Sequence, residues 1–107
     1  TYFTNHYSVE DTSPACKTFV EAYKKEYGQM PDAMAVLGYD AANALIDAIK
    51  RANSLEPDKI RAALSETKDF PAITGSTTLN ATHDAVKSAV IIEMKDGKQV
   101  FKASVKP

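Results

Sequence analysis

The chain has one cysteine, two histidines, no tryptophan and four glycines standing singly, and each scarcity removes a class of function. Cys16 cannot form an internal disulfide, and with only His6 and His83 beside it a zinc site is not expected. Lying on the apolar face of a helical pattern, it reads as a small buried hydrophobe. Gly28, Gly38, Gly75 and Gly97 are too far apart to build a phosphate-cradling loop. No apolar run approaches the ~20 residues needed to cross a bilayer as a helix. Thirteen basic residues against fourteen acidic ones leave a net charge of −1, without the basic excess that follows a phosphate backbone. Nucleic acid is therefore not an expected partner. The carboxylates Glu10, Asp11, Asp69, Asp84, Glu93 and Asp96 match no calcium-loop spacing. Neither a metal nor a cofactor is expected.

What remains is an ordinary globular composition, 44% hydrophobic and 25% charged, in a length of 107 residues that suits a single domain or a fragment of a larger one. The opening Thr1-Tyr2-Phe3-Thr4 reads as strand material rather than a natural beginning. The expectation is a piece of a longer polypeptide, for which a missing targeting sequence says little about location.

The strongest pattern runs from Met30 to Ala52. Apolar residues at Met34, Leu37, Ala41, Leu45, Ala48, Ile49 and Ala52, with a second row at Ala35, Ala42 and Ile46, give a broad helical stripe. Such a stripe predicts a helix pressed between two neighbours. Asp40, Asn43, Asp47, Lys50 and Arg51 fill the other face, with Asp47 spaced to pair with Arg51. Pro31 precedes the helix and Asp32 is its expected cap. Gly38 weakens the helix, so it implies close packing there or approach of a ligand.

On either side, Tyr2 to Tyr7 suits a short strand entering a loop. Ser13-Pro14 starts a helix over 14–27 that carries Cys16, Phe19, Val20, Tyr23 and Tyr27 and stops at Gly28. A third helix is predicted over about 57–67, with Glu56 a weak cap. From Phe70 the chain favours extended structure, with Gly75 a candidate bulge, and 79–84 reads as a loop. Ala89-Val90-Ile91-Ile92 lacks alternation, as in a strand covered on both faces. Asp96-Gly97 marks a two-residue hairpin leading into a return strand to Val105. The fold class is α/β in the order β-α-α-α-β-β-β, three helices packed on a small sheet.

Catalytic chemistry is poorly represented. Ser88, His83 and Asp84 supply the residue types of a nucleophilic triad, but no nucleophile elbow surrounds them, and no enzyme activity is expected. Asn80-Ala81-Thr82 fits a glycosylation acceptor, a pattern short enough to arise by chance. Tyr2, Phe3, Tyr7 and Tyr39 are aromatic residues of the kind that line ligand pockets, and equally of the kind that pack a core.

One ordered set of stretches goes further. Tyr2-Phe3-Thr4-Asn5-His6-Tyr7, the run Phe19 to Gly28, Pro31-Asp32-Ala33, Gly38-Tyr39-Asp40-Ala41 and Asp47-Ala48-Ile49 follow one another as in a single family. Ile73-Thr74-Gly75, Val86 to Ile91 and Asp96-Gly97-Lys98 complete the set. Together they resemble the C-terminal third of periplasmic substrate-binding proteins of the branched-chain amino-acid (leucine/isoleucine/valine) type, which serve ATP-driven importers. The resemblance implies part of a type I periplasmic-binding-protein fold, in which two α/β lobes joined by three crossing segments close on a small ligand. It implies an extracytoplasmic solute-binding component, periplasmic or carried as a bacterial lipoprotein, with a membrane permease as partner and amino acids or similar small molecules as ligands. A ligand-sensing regulatory domain of the same fold is the alternative. On this resemblance Met34, Ala35, Gly38 and Tyr39 face the cleft, and Asn5, His6 and Tyr7 lie near a hinge. The main ligand-gripping residues belong to segments outside this chain. The turn Asn80 to Asp84 departs from the family in lacking a glycine. A fragment of this size also leaves a sheet edge open, so a homodimer by strand exchange is a further expectation.

Overall fold

A computed structural model describes residues 1–107. Strand β1 (Tyr2–Asn5) is followed by helices α1 (Pro14–Tyr27), α2 (Ala33–Ala52) and α3 (Pro57–Ser65). Five strands complete the chain: β2 (Phe70–Ala72), β3 (Gly75–Leu79), β4 (Ala85–Val86), β5 (Ala89–Lys95) and β6 (Lys98–Val105). The expected order is present, but the extended stretch from Phe70 folds back on itself, so there are two small antiparallel sheets, β1-β5-β6 and β2-β3-β4.

Local chemistry explains most boundaries. Pro14 occupies the first helical position of α1 and Gly28 ends it in the left-handed region at φ 69°. Ser13 stands at the cap position without using its side chain; its own amide donates to Asp11 Oδ1 at 2.8 Å instead. Asp32 caps α2 as expected, accepting from the amide of Ala35 at 2.8 Å. Glu56 gives α3 no side-chain cap. Asp96 and Gly97 both take positive φ, 51° and 74°, the conformation that joins β5 to β6 without splaying them. His83 adopts φ 68° in the glycine-free turn after β3. Asn80 Oδ1 holds that turn by accepting from the amides of Thr82 and Asp84.

The packed elements fall into two bodies. One is the sheet β1-β5-β6, in which Tyr2 to Asn5 pair with Glu93 to Val90, and Lys102 is an extra residue on β6 opposite the Ile91/Ile92 step. Its ammonium reaches Glu93 Oε2 at 2.7 Å and holds that carboxyl below the usual carboxylate range. The other body holds the three helices and the small sheet, with its core at Tyr7, Cys16 and Val36 and with Phe19, Val20, Ala33 and Ile73 against them. Cys16 is buried as expected, at 1% exposure. Two segments, residues 6–13 and 87–88, connect the bodies. The radius of gyration is 15.4 Å, against about 13 Å for a compact domain of this length.

Only 11 of the 107 residues are buried, so most apolar side chains are covered in part or not at all. The two-sided cover expected for α2 and β5 is absent. Ile92 is fully enclosed on β5, while Ala89, Val90 and Ile91 are half-buried. On α2 the orientation differs from the expected one. Val36, Asp40 and Ala48 face inward, whereas Met34, Leu45 and Ile46 are exposed. The expected outward partner Arg51 pairs with Asp47 at 2.8 Å and also donates to the Ala63 carbonyl and Thr67 Oγ1, which fastens α2 to the end of α3.

Candidate functional site

The residues expected to face a cleft lie on the first two turns of α2, and the structure divides them. Ala35 and Tyr39 lean toward α1 and border a groove of about 490 Å³ with Phe19, Tyr23 and Tyr27. The rings form a ladder: Tyr39 to Phe19 at 4.6 Å, Phe19 to Tyr23 at 5.9 Å and Tyr23 to Tyr27 at 4.6 Å between centroids, all tilted. Met34 and Gly38 turn away, and Met34 is 72% exposed. No atom comes within 4 Å of where a Gly38 side chain would begin. Packing inside this chain is therefore not what requires a glycine there. Gly38→Ala is expected to stabilise the 107-residue chain by about 0.5–1 kcal/mol through helix propensity, measured as a raised urea midpoint. In a longer protein where another surface approaches Gly38, the same change would lower ligand affinity instead.

Beside the aromatic ladder a larger groove of about 600 Å³ runs between α1 and α2. Its apolar wall includes Phe19, Ile46, Phe70 and Ile73, and Asp40, Asn43, Asp47 and Lys50 are its polar members. Under its floor Asp40, 8% exposed, is fully engaged. Its carboxylate accepts from the amides of Ile73 at 2.8 Å and Thr74 at 2.9 Å, and from the Thr74 hydroxyl at 2.8 Å. Ile73 and Thr74 are the two loop residues of the β2–β3 hairpin, which has no Asn-Gly or Asp-Gly of its own. A carboxylate on a neighbouring helix fixes the turn instead. Lys87 Nζ donates to the same Thr74 hydroxyl at 2.8 Å. Burial lowers the Lys87 ammonium from its ordinary value, and the charge of Asp40 opposes that shift.

The expected hinge residues sit where β1 leaves the sheet. Asn5 ends the strand and its side chain accepts from the His6 amide. His6 and Tyr7 line a cavity of about 190 Å³ between the bodies, together with Asp11, Thr74, Ser88 and Phe101. Tyr7 is buried and donates its hydroxyl to the carbonyl of Pro31. Glu10 reaches across to β6, where its carboxylate accepts from the Phe101 amide at 2.7 Å. The Tyr7 phenol is pushed up to about 12, by burial first and then by the fields of Cys16 and Asp32. A raised folded value means that Tyr7 stabilises the fold fully below its ordinary value of 10 and loses that contribution as pH rises toward 12. Alkaline titration followed by circular dichroism should show stability falling across that window, with a shallower slope in Tyr7→Phe.

Ser88, His83 and Asp84 are not assembled into a triad. Ser88 lies at the cavity between the bodies, whereas His83 borders a different groove with Arg61 and Leu64. Asp84 accepts from Thr82. Sequence reading missed Asp40, Lys87 and Glu10. A polar residue such as Asp40 on a helix reads as outward, while the other two bond only through partners brought together by the fold.

Comparison with known proteins places these features in context. A family model described as periplasmic binding protein matches residues 1–99. A leucine-binding protein of Thermotoga maritima is 40% identical and superposes with a TM-score of 0.85 over 99% of this chain and 31% of its own. A branched-chain amino acid transporter substrate-binding protein of Streptococcus pneumoniae, solved with isoleucine, is 34% identical with a TM-score of 0.82, over 99% of this chain and 30% of its own. A solute-binding protein of an ABC transporter from Rhodopseudomonas palustris, solved with 3,4-dihydroxybenzoic acid, is 31% identical with a TM-score of 0.83, over 98% and 30%. The chain thus spans about a third of the length of the solved proteins it matches.

Proposed function

The chain belongs to the periplasmic binding protein family, and we propose that it is the C-terminal third of the solute-binding component of an ATP-driven importer. Members of this family work outside the cytoplasm, and no helix here is long and apolar enough to cross a membrane. The observation that carries the reading is the division into two bodies joined by two crossing segments, on a chain that matches the family over 1–99. That is the architecture of a protein whose work is movement: ligand favours one arrangement of two lobes over the others. Binding rather than bond chemistry is the reading that the family match supports.

The ligand is an amino acid with an aliphatic side chain, in keeping with the leucine and isoleucine named for the 40% and 34% identical relatives. Aromatic carboxylates are the second reading, favoured by the dihydroxybenzoate bound to the 31% identical protein. The site is periplasmic, with or without a lipid anchor, and the partner is a membrane permease. Met34, Ala35, Gly38 and Tyr39 lie near the cleft wall, and Asn5, His6 and Tyr7 at one crossing. A 107-residue piece held apart from the rest of the fold would leave β1 and β6 with open edges, through which two copies exchange strands. Titration calorimetry of the full-length protein with leucine, isoleucine, valine and benzoate tests the function. Heat with the aliphatic amino acids is expected; heat with benzoate alone would replace the ligand class, and silence with all four would overturn the reading.

A further inference from the structure

In each of the two crossing segments one side-chain bond leads to the start of α2, while Glu10 of the first segment also bonds to β6. In the first segment Tyr7, 5% exposed, donates to the carbonyl of Pro31, immediately before the Asp32 cap of α2. In the second, Lys87 donates to the Thr74 hydroxyl, and that hydroxyl donates to Asp40 on the second turn of α2. Neither Tyr7 nor Lys87 belongs to a helix or strand, so these bonds complete no element of regular structure. Each instead brings a polar side chain out of water at an unfavourable desolvation term that the fold must offset. One residue nearer the sheet, His6 and Ser88 line the cavity between the bodies. Their side chains are not tied to α2.

We propose that Tyr7 and Lys87 are positioning residues that clamp both crossing segments to the start of α2, leaving His6 and Ser88 as the points that bend when the exposed Glu10–Phe101 bond to β6 opens. This rests on the reading of the chain as part of a closing two-lobed protein. Two bodies joined by slack segments sample many unliganded arrangements, and a ligand that selects one of them must overcome that freedom. Segments pinned to a common helix sample fewer. The clamp therefore tightens binding without touching the ligand, and it sets both bending points at a fixed distance from the same helix end.

The test uses the full-length protein as wild type, Tyr7→Phe and Lys87→Met, which keep the side-chain volume while removing one donor each. Leucine titration, small-angle scattering with and without leucine, and amide hydrogen exchange are measured on all three. The clamp predicts a Kd for leucine raised about three- to tenfold in each variant. It predicts an unchanged radius of gyration in the leucine-bound state and a larger one without leucine. It also predicts about tenfold faster exchange at the hydrogen-bonded amides of Glu10 and Asp11 in Tyr7→Phe and of Ile73 and Thr74 in Lys87→Met. A merely stabilising role would lower the melting temperature and leave the unliganded scattering of the folded protein as in wild type. Wild-type Kd, scattering and exchange in both variants would overturn the clamp. If the wild type neither binds nor contracts with any of leucine, isoleucine, valine and benzoate, the two-lobed reading fails on its own account. The exchange data then decide the clamp: protected amides at Glu10, Asp11, Ile73 and Thr74, made fast in the variants, would uphold it, and exchange as in wild type would refute it.

Discussion

Asp40→Ala is expected to remove about 3–5 kcal/mol of stability, a large share of what a domain of this size possesses. The substitution deletes one carboxylate and orphans three donors: the amides of Ile73 and Thr74 and the Thr74 hydroxyl. An unsatisfied buried donor is more damaging than the mean value of a hydrogen bond suggests, because its desolvation is no longer compensated. The Lys87 ammonium, already lowered by burial, also loses the charge that opposes that shift. Asp40→Asn keeps the shape and one acceptor oxygen, so about 1–3 kcal/mol is expected for it. Urea unfolding followed by circular dichroism measures both. Equal midpoints for wild type and Asp40→Ala would show that the β2–β3 turn holds itself without help from α2.

The second large effect concerns the chain by itself. Purified as 107 residues, it should bind leucine at least about a thousandfold more weakly than the full-length protein, a loss of about 4 kcal/mol. Binding sites for small molecules enclose most of the ligand surface. Here Met34 and Gly38 open directly to solvent, with no opposing wall. Thirteen large hydrophobic side chains are exposed whereas Tyr7, Val36 and Ile92 are buried, so the isolated chain should also bind a hydrophobic dye and self-associate as its concentration rises. Calorimetry on the two lengths in parallel makes the comparison. Equal affinity would mean that the site lies wholly within these residues, and the grooves beside Tyr39 would then be its natural place.

The helices were largely legible because their signals are local. Pro14, Gly28 and Asp32 act through their own φ or through a partner three or four residues away, and the observed boundaries follow them. The Asp96-Gly97 hairpin is legible for the same reason. The facing of α2 was not. Periodicity identifies a stripe, but of that stripe Met34 and Leu45 are exposed while Ala48 is buried, and Val36 and Asp40, which lie outside it, are buried too. A buried aspartate looks like a surface one until the hairpin that it binds, more than thirty residues later, is in place. The hinge was read from family resemblance alone, and the bonds of Tyr7, Lys87 and Glu10 around it have no sequence signature.

The sheet β1-β5-β6 has a consequence for how the molecule is made. Tyr2 and its partner Glu93 are 91 residues apart, so the sheet cannot form until the chain has been made through β5. The helical body, complete by Val86, can settle during synthesis while β1 waits unpaired. Joining the two is the slow, late step, because closing so long a loop must precede any gain from the strand pairing. Until then β1 keeps both of its edges open to chaperones and proteases.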